Sequence, residues 1–172
     1  MGWYPGKLYE KLRTGRGMQL ERPEDLIPIY KNAELYAGWL LKTYDRFIDF
    51  LDSYDEASSI LNTLIALHKE KQEDVGRNSL LNIKGHMRTF VEELGLHLFR
   101  FESIVSFLID YGAKLEGLSY SVSAKATGVR TIPPEHASYL GSMQEKLQKL
   151  RENYDMIQYK FRTIRSKLQQ LQ

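Results

Sequence analysis

Cysteine is absent from this chain, which excludes disulfide staples, thiolate metal ligands and thiol nucleophiles. Proline is scarce and marginal. Pro5, Pro23, Pro28, Pro133 and Pro134 leave the stretch from Ile29 to Ile132 with none. Long uninterrupted helices need that, because a mid-helix proline removes a backbone donor and clashes with the preceding turn. No apolar run approaches the roughly 18 residues that cross a bilayer. The most apolar region, Leu94 to Tyr111, is interrupted by His97, Arg100, Glu102 and Asp110, and reads as a buried core helix. The N-terminus has no h-region, and Gly6 stands where a myristoylation pattern wants Ser or Thr. Neither export nor lipidation is expected, and an intracellular, cytoplasmic protein is the simplest reading.

A dominant charge of one sign is lacking too. The 172 residues hold 24 cations and 22 anions, a net charge of +2. So balanced a charge offers no sustained phosphate footprint, and a nucleic-acid partner is not expected. The charge is nonetheless segregated: +3 over residues 1–20, −6 over 21–75, +1 over 76–127 and +4 over 128–172. An acidic first helical region and a basic last one can attract each other inside one bundle.

What the chain does have is hydrophobic periodicity. Leu140, Met143, Leu147, Leu150, Tyr154, Ile157, Phe161, Ile164, Leu168 and Leu171 alternate in steps of three and four without exception. That is the mark of a helix burying one seam against another helix. The heptad runs up to Gln172 with no C-cap, so the helix either frays there or continues in a longer chain. A second heptad runs through Leu80, Ile83, Met87, Phe90, Leu94, His97, Phe101, Ile104, Leu108, Tyr111, Leu115, Leu118 and Val122. Val91, Leu98, Val105 and Phe107 flank it, giving a face wide enough for two neighbours and marking a central helix.

The first helical region starts near Pro23 or Pro28, with Glu24 and Asp25 at the positive end of the helix dipole. Its apolar positions include Ile29, Leu35, Tyr36, Trp39, Leu40, Phe47, Ile48, Phe50 and Leu51. Ser53-Tyr54-Asp55-Glu56 has the form of a capping box, yet periodicity continues through Tyr54, Ala57, Leu61, Leu64 and His68. One continuous helix is the favoured reading, with a break near Ser53 as the alternative. Glu73 to Asn78 reads as a turn, Gly76 as a stop and Asn78 or Ser79 as an N-cap. The later part of Ser119 to Pro134 reads as a loop, with Pro134 or Glu135 opening the last helix. The expected fold is all-α: an elongated antiparallel bundle of three long helices, about 23–74, 79–124 and 134–172, with coiled-coil-like packing, or four helices if the first breaks near Ser53. Residues 1–20 form a basic arm holding a possible short helix at Lys7 to Thr14, and 21–172 a single bundle domain.

Reactive groups do not converge. A di-iron bundle needs paired Glu-x-x-His motifs, but Glu93 and His97 are four apart and no second pair has the right spacing. Nothing gathers His68, His86, His97 and His136 into a zinc set. His97 and His68 lie on apolar stripes and read as seam residues, where one polar side chain can pin register. There is no Gly-x-Ser-x-Gly elbow, and Gly15-Arg16-Gly17 is too short to cradle phosphate. Most of the eleven tyrosines, Tyr36, Tyr111 and Tyr154 among them, fall at core spacing rather than in a base-stacking platform. No enzymatic activity, cofactor or metal is expected.

Two basic features remain as candidate partner-binding sites. The arm combines Trp3, Lys7, Lys11 and Arg13 with aliphatic residues, a mixture suited to a protein partner or a membrane interface. The last heptad, with Leu140 at position a, places Lys146, Asn153, Lys160 and Lys167 at g and Gln144, Arg151, Gln158 and Arg165 at e. A parallel homodimer would oppose like charges, so this helix prefers an acidic neighbour, and Asp45, Asp49, Asp52 and Asp55 are available. The expected function is a non-enzymatic protein–protein interaction module, in an assembly, adaptor or scaffold role. The alternative is a membrane-surface module, since long antiparallel helices behind a basic amphipathic segment are similar in outline to BAR-type helical dimers. The acidic first half counts against a cationic lipid-facing surface.

Leu150→Asp places a charge in the final seam. It is expected to cost several kcal/mol and lower the melting temperature accordingly. An unchanged melting temperature would mean that the last helix is exposed.

Overall fold

Four of the five prolines sit where a helix can use them. Pro5 opens α1 (Pro5–Thr14), Pro23 opens a 3₁₀ turn (Pro23–Leu26), Pro28 is the second residue of α2 (Ile27–His68), and Pro134 opens α4 (Pro134–Gln169). Between α2 and α4 lies α3 (Glu73–Thr127). The computed structural model describes residues 5–14, 22–68, 73–127 and 134–169, and side chains chiefly over 7–14, 24–60, 81–110 and 136–167. The described residues form helices packed on helices, an all-α bundle with no strand. Entry to the 3₁₀ turn is tied reciprocally: Asp25 accepts the Arg22 N–H on its carboxylate at 3.0 Å and donates its own N–H to the Arg22 carbonyl at 3.0 Å.

The first long helix is continuous, as the favoured reading has it, while other boundaries differ from the sequence reading. Ser53 is interior to α2, which does not break there: Tyr54 and Ser58 are buried, and the Ser58 hydroxyl donates to the Tyr54 carbonyl at 2.9 Å. The turn expected at Glu73 to Asn78 is instead the start of α3, so Gly76 is not a stop and Asn78 and Ser79 are not caps. A glycine costs a helix about 1 kcal/mol, which the burial of one or two large side chains exceeds, and Glu73 and Asp74 favour a helix N-terminus. The helix continues to Thr127. The expected loop residues 128–133 and the heptad position Leu171 lie outside the described residues, and so do the side chains of His68, Leu80, Tyr111, Leu115, Leu118, Val122 and Leu168.

The chain divides into two compact units, residues 1–41 with 97–149 and residues 42–96 with 150–172. In the first, Leu26, Tyr30, Ala33, Tyr36, Ala37 and Leu40 are buried together with Phe101, Ile104, Val105 and Leu108 of α3 and His136, Leu140, Met143 and Leu147 of α4. Tyr36 stacks on Phe101 at 6.1 Å between ring centroids, and Tyr30 stacks on Tyr139 at 5.3 Å. The basic arm is not loose in this unit. Leu12 of α1 is buried, and the Arg100 guanidinium lies 5.9 Å from the Tyr9 ring centroid, a cation–π contact.

In the second unit Tyr44, Phe47, Leu51 and Tyr54 are buried, as are Met87, Val91 and Leu94 of α3 and Leu150, Ile157, Phe161 and Ile164 of α4. The Tyr44 hydroxyl donates to the Leu94 carbonyl at 2.9 Å, and Phe47 meets Phe90 at 4.8 Å. Residue numbers rise on α2 as they fall on α3, so these two run antiparallel. Asp52 meets Lys160 and Asp55 meets Lys167, so α2 and α4 run parallel.

Two helix faces are rotated from the expected ones. The core positions run from Leu26 of the 3₁₀ turn through Tyr30, Ala33, Ala37, Leu40, Tyr44, Phe47, Leu51, Tyr54 and Ser58 of α2, a full heptad, whereas Leu35, Trp39 and Phe50 are exposed. On α3, Val91, Leu98 and Val105 take the deep places beside Met87, Leu94, Phe101 and Leu108, leaving Ile83 and Phe90 partly exposed.

Gly95 makes a close approach possible. A Cβ there would overlap the Tyr154 hydroxyl, which donates to the Val91 carbonyl at 3.2 Å, and would stand 3.0 Å from Tyr154 Cζ. Gly95→Ala is therefore expected to destabilise by about 1–3 kcal/mol through overpacking, against the roughly 1 kcal/mol by which alanine favours a helix. Tyr154→Phe in the same chain should recover part of the loss in urea unfolding. A stabilised Gly95→Ala protein would show that the helices separate freely there.

Candidate functional site

The flank of α4 that the sequence singles out is largely occupied by α2. In the first unit Lys146 pairs with Glu34. In the second, Lys160 reaches Asp52 at 2.5 Å and Lys167 reaches Asp55 at 2.7 Å. The acidic neighbour is thus α2 of the same chain, as the charge segregation suggested. Asp45 and Asp49, offered for the role, are exposed, and Glu34 was missed. The Lys160 and Lys167 pairs are open enough to solvent to contribute little stability, up to about 1 kcal/mol each, so their main effect is on register, whereas the Glu34 side chain is mostly enclosed. Arg151 and Arg165 stand exposed on the other edge of α4. In the arm, Lys7 and Lys11 are exposed, Arg13 pairs with Glu10 at 2.8 Å, and Trp3 lies outside the described residues.

The tyrosines and histidines are matched across helices. Tyr30 Oη and His136 Nδ1 are 3.0 Å apart in a buried pair, and Tyr36 Oη and His97 Nδ1 are 2.7 Å apart. Trp39 meets the His97 ring edge-on at 5.1 Å. His97 is therefore a cross-helix hydrogen-bond partner on the seam, the structural role expected of it. His136 plays the same role, and sequence reasoning missed it. The signal was available, because His136 sits four residues before Leu140 and extends the α4 heptad by one step. Among the described residues, no group of three or more His, Asp or Glu side chains could hold a metal ion, and no helix is long and apolar enough to cross a membrane.

Large apolar side chains remain at the surface of each unit. The first exposes Leu35 at 60% and Phe99 at 56%, the second Phe50 at 43% and Tyr159 at 70%. A shallow depression between α2 and α4 of the first unit is lined by Lys31, Glu34, Leu35, Ser138, Tyr139 and Ser142. One Glu34 oxygen there is enclosed with no hydrogen-bond partner among the described residues. Compared with protein-family models, curated proteins and solved structures, the chain matches none.

Burial pushes the Tyr54 hydroxyl up from 10.0 to about 12, and raises that of Tyr154 for the same reason. Between those two values the unfolded chain gives up the Tyr54 proton while the folded chain keeps it. This contribution to stability is therefore fully present below pH 10.0 and is lost as pH rises through about 12. Unfolding midpoints in urea are expected to fall over that window, less steeply for Tyr54→Phe. Identical slopes for the two proteins would show that Tyr54 is not buried.

Proposed function

We propose that this chain is a non-enzymatic helical-bundle module that works through protein–protein contacts of its helices, in an assembly, adaptor or scaffold role, in an intracellular, cytoplasmic setting. The observation that carries this reading is the placement of its large apolar side chains. The heptad cores are filled with buried residues of all three long helices, and yet Leu35, Phe50, Phe99, Met156 and Tyr159 remain between 43% and 70% exposed. Single exposed apolar residues are ordinary, but large aromatic rings held open on rigid helices are the residues that anchor protein interfaces. The absence of cysteine is compatible with a reducing compartment.

The membrane-surface alternative has less support. It needs the apolar face of the basic arm to be free for lipid, and Leu12 on that face is buried inside the first unit.

Crosslinking of the full chain in extract of cells that express it, with part of the chain isotopically labelled, tests the reading. The expected result is crosslinked peptide pairs joining these helices to another polypeptide or to a second, differently labelled copy. Intrachain pairs alone, at every concentration, would overturn it.

A further inference from the structure

α3 carries two overlapping heptads that share Met87, Leu94, Phe101 and Leu108. One is completed by Val91, Leu98 and Val105, all of them buried. The other is completed by Ile83, Phe90, His97 and Ile104. In the first unit the second set is enclosed: Ile104 is fully buried, and His97 bonds the Tyr36 hydroxyl at 2.7 Å. In the second unit it is open, with Ile83 and Phe90 each 37% exposed.

α2 leaves a ring open on the same side of the second unit. Buried Phe47 lies 4.8 Å from Phe90 and 6.0 Å from Phe50, measured between ring centroids, and Phe50 lies 6.3 Å from Tyr54. Phe50 and Phe90 thus form the outer members of an aromatic ridge that bridges α2 and α3 over a buried Phe47. Nothing among the described residues covers it.

We infer that this Phe50–Phe47–Phe90 ridge is the centre of a twofold interface with a second copy of the chain. This rests on the proposal that the module works through protein–protein contacts. Charge chooses the occupant. Beside Phe50, α2 exposes a cation and an anion, Arg46 and Asp49, and α3 exposes His86 and Glu93 beside Phe90. A twofold axis through the ridge can set Arg46 of one copy against Asp49 of the other, a pairing that a rim of mixed sign permits. A rim of one sign would repel its own copy, as the cationic e and g flanks of α4 would. The net charge of +2 adds little long-range repulsion between copies. Offset aromatic rings also accept further rings between them, which makes the ridge complementary to itself in shape. Two half-exposed phenylalanines supply only part of the ~800 Å² per partner that a stable interface buries, so the dimer is weak and concentration-dependent.

Absolute mass by light scattering after size exclusion, over a hundredfold range of concentration, tests this on the purified full chain. The mass is expected to rise from 20.1 kDa toward twice that value. Phe90→Glu and Phe50→Glu should each weaken the dissociation constant at least ~10-fold, moving the rise in mass to correspondingly higher concentration. Arg46→Asp, an exposed change that leaves the rings in place, should weaken association, and Arg46→Asp combined with Asp49→Arg should restore it. A wild-type chain that stays monomeric would overturn the inference, as would charge variants that associate like the wild type. Neither result touches the broader reading, which fails only if crosslinking finds no second polypeptide of any kind.

Discussion

A tyrosine buried in a helical core must find a partner for its hydroxyl, and α2 places four of them, Tyr30, Tyr36, Tyr44 and Tyr54, among its buried positions. An unsatisfied buried hydroxyl costs about 1–3 kcal/mol, as much as the burial of a ring returns. Leucine at these positions would tolerate sliding, since dispersion contacts are non-directional. Tyrosine does not tolerate it. Tyr30 requires His136, Tyr36 requires His97, and Tyr44 requires the carbonyl of Leu94. A one-residue slip of either neighbour against α2 would leave these hydroxyls buried and unpaired.

The same directional requirement returns from α4. Tyr154 sends its hydroxyl to the Val91 carbonyl, across a surface that Gly95 keeps free of a side chain. In each unit, then, hydrogen bonds at the end of aromatic rings fix which turn of one helix faces which turn of the next. The lysine–carboxylate pairs of α4 with Glu34, Asp52 and Asp55 agree with that register. The two with Asp52 and Asp55, partly exposed, discriminate against wrong pairings more than they stabilise the right one. Lys146, Lys160 and Lys167 are engaged in this way, while the rings of Phe50 on α2 and Phe90 on α3 stay partly open at the surface.

The all-α class, the continuous first helix and the start of α4 at Pro134 were legible in the sequence. Proline placement and the strict heptad from Leu140 dictate them physically. The pairing of a basic last helix with an acidic first one was legible as charge, though not which carboxylates take part. The start of α3 was not legible, because Gly76 and Asn78 carry local turn preferences, yet the helix runs through both. The true core face of α2 was hidden for another reason. Its heptad runs through Ala33, Ala37, three tyrosines and Ser58, which a hydrophobicity pattern scores low, while exposed Leu35, Trp39 and Phe50 score high.

The sequence by itself determined where the chain is helical, because periodicity and the distribution of proline are local properties that each helix reads from its own residues. Only the tertiary structure decided that one of two overlapping heptads on α3 faces inward throughout, while the other is enclosed in the first unit and open in the second. That outcome turns on the volume and hydrogen-bonding needs of side chains distant in sequence, such as the hydroxyl of Tyr36 meeting His97, 61 residues away, and on the space opened by Gly95. It thereby decided which aromatic rings are spent in the core and which, like Phe50 and Phe90, are left at the surface.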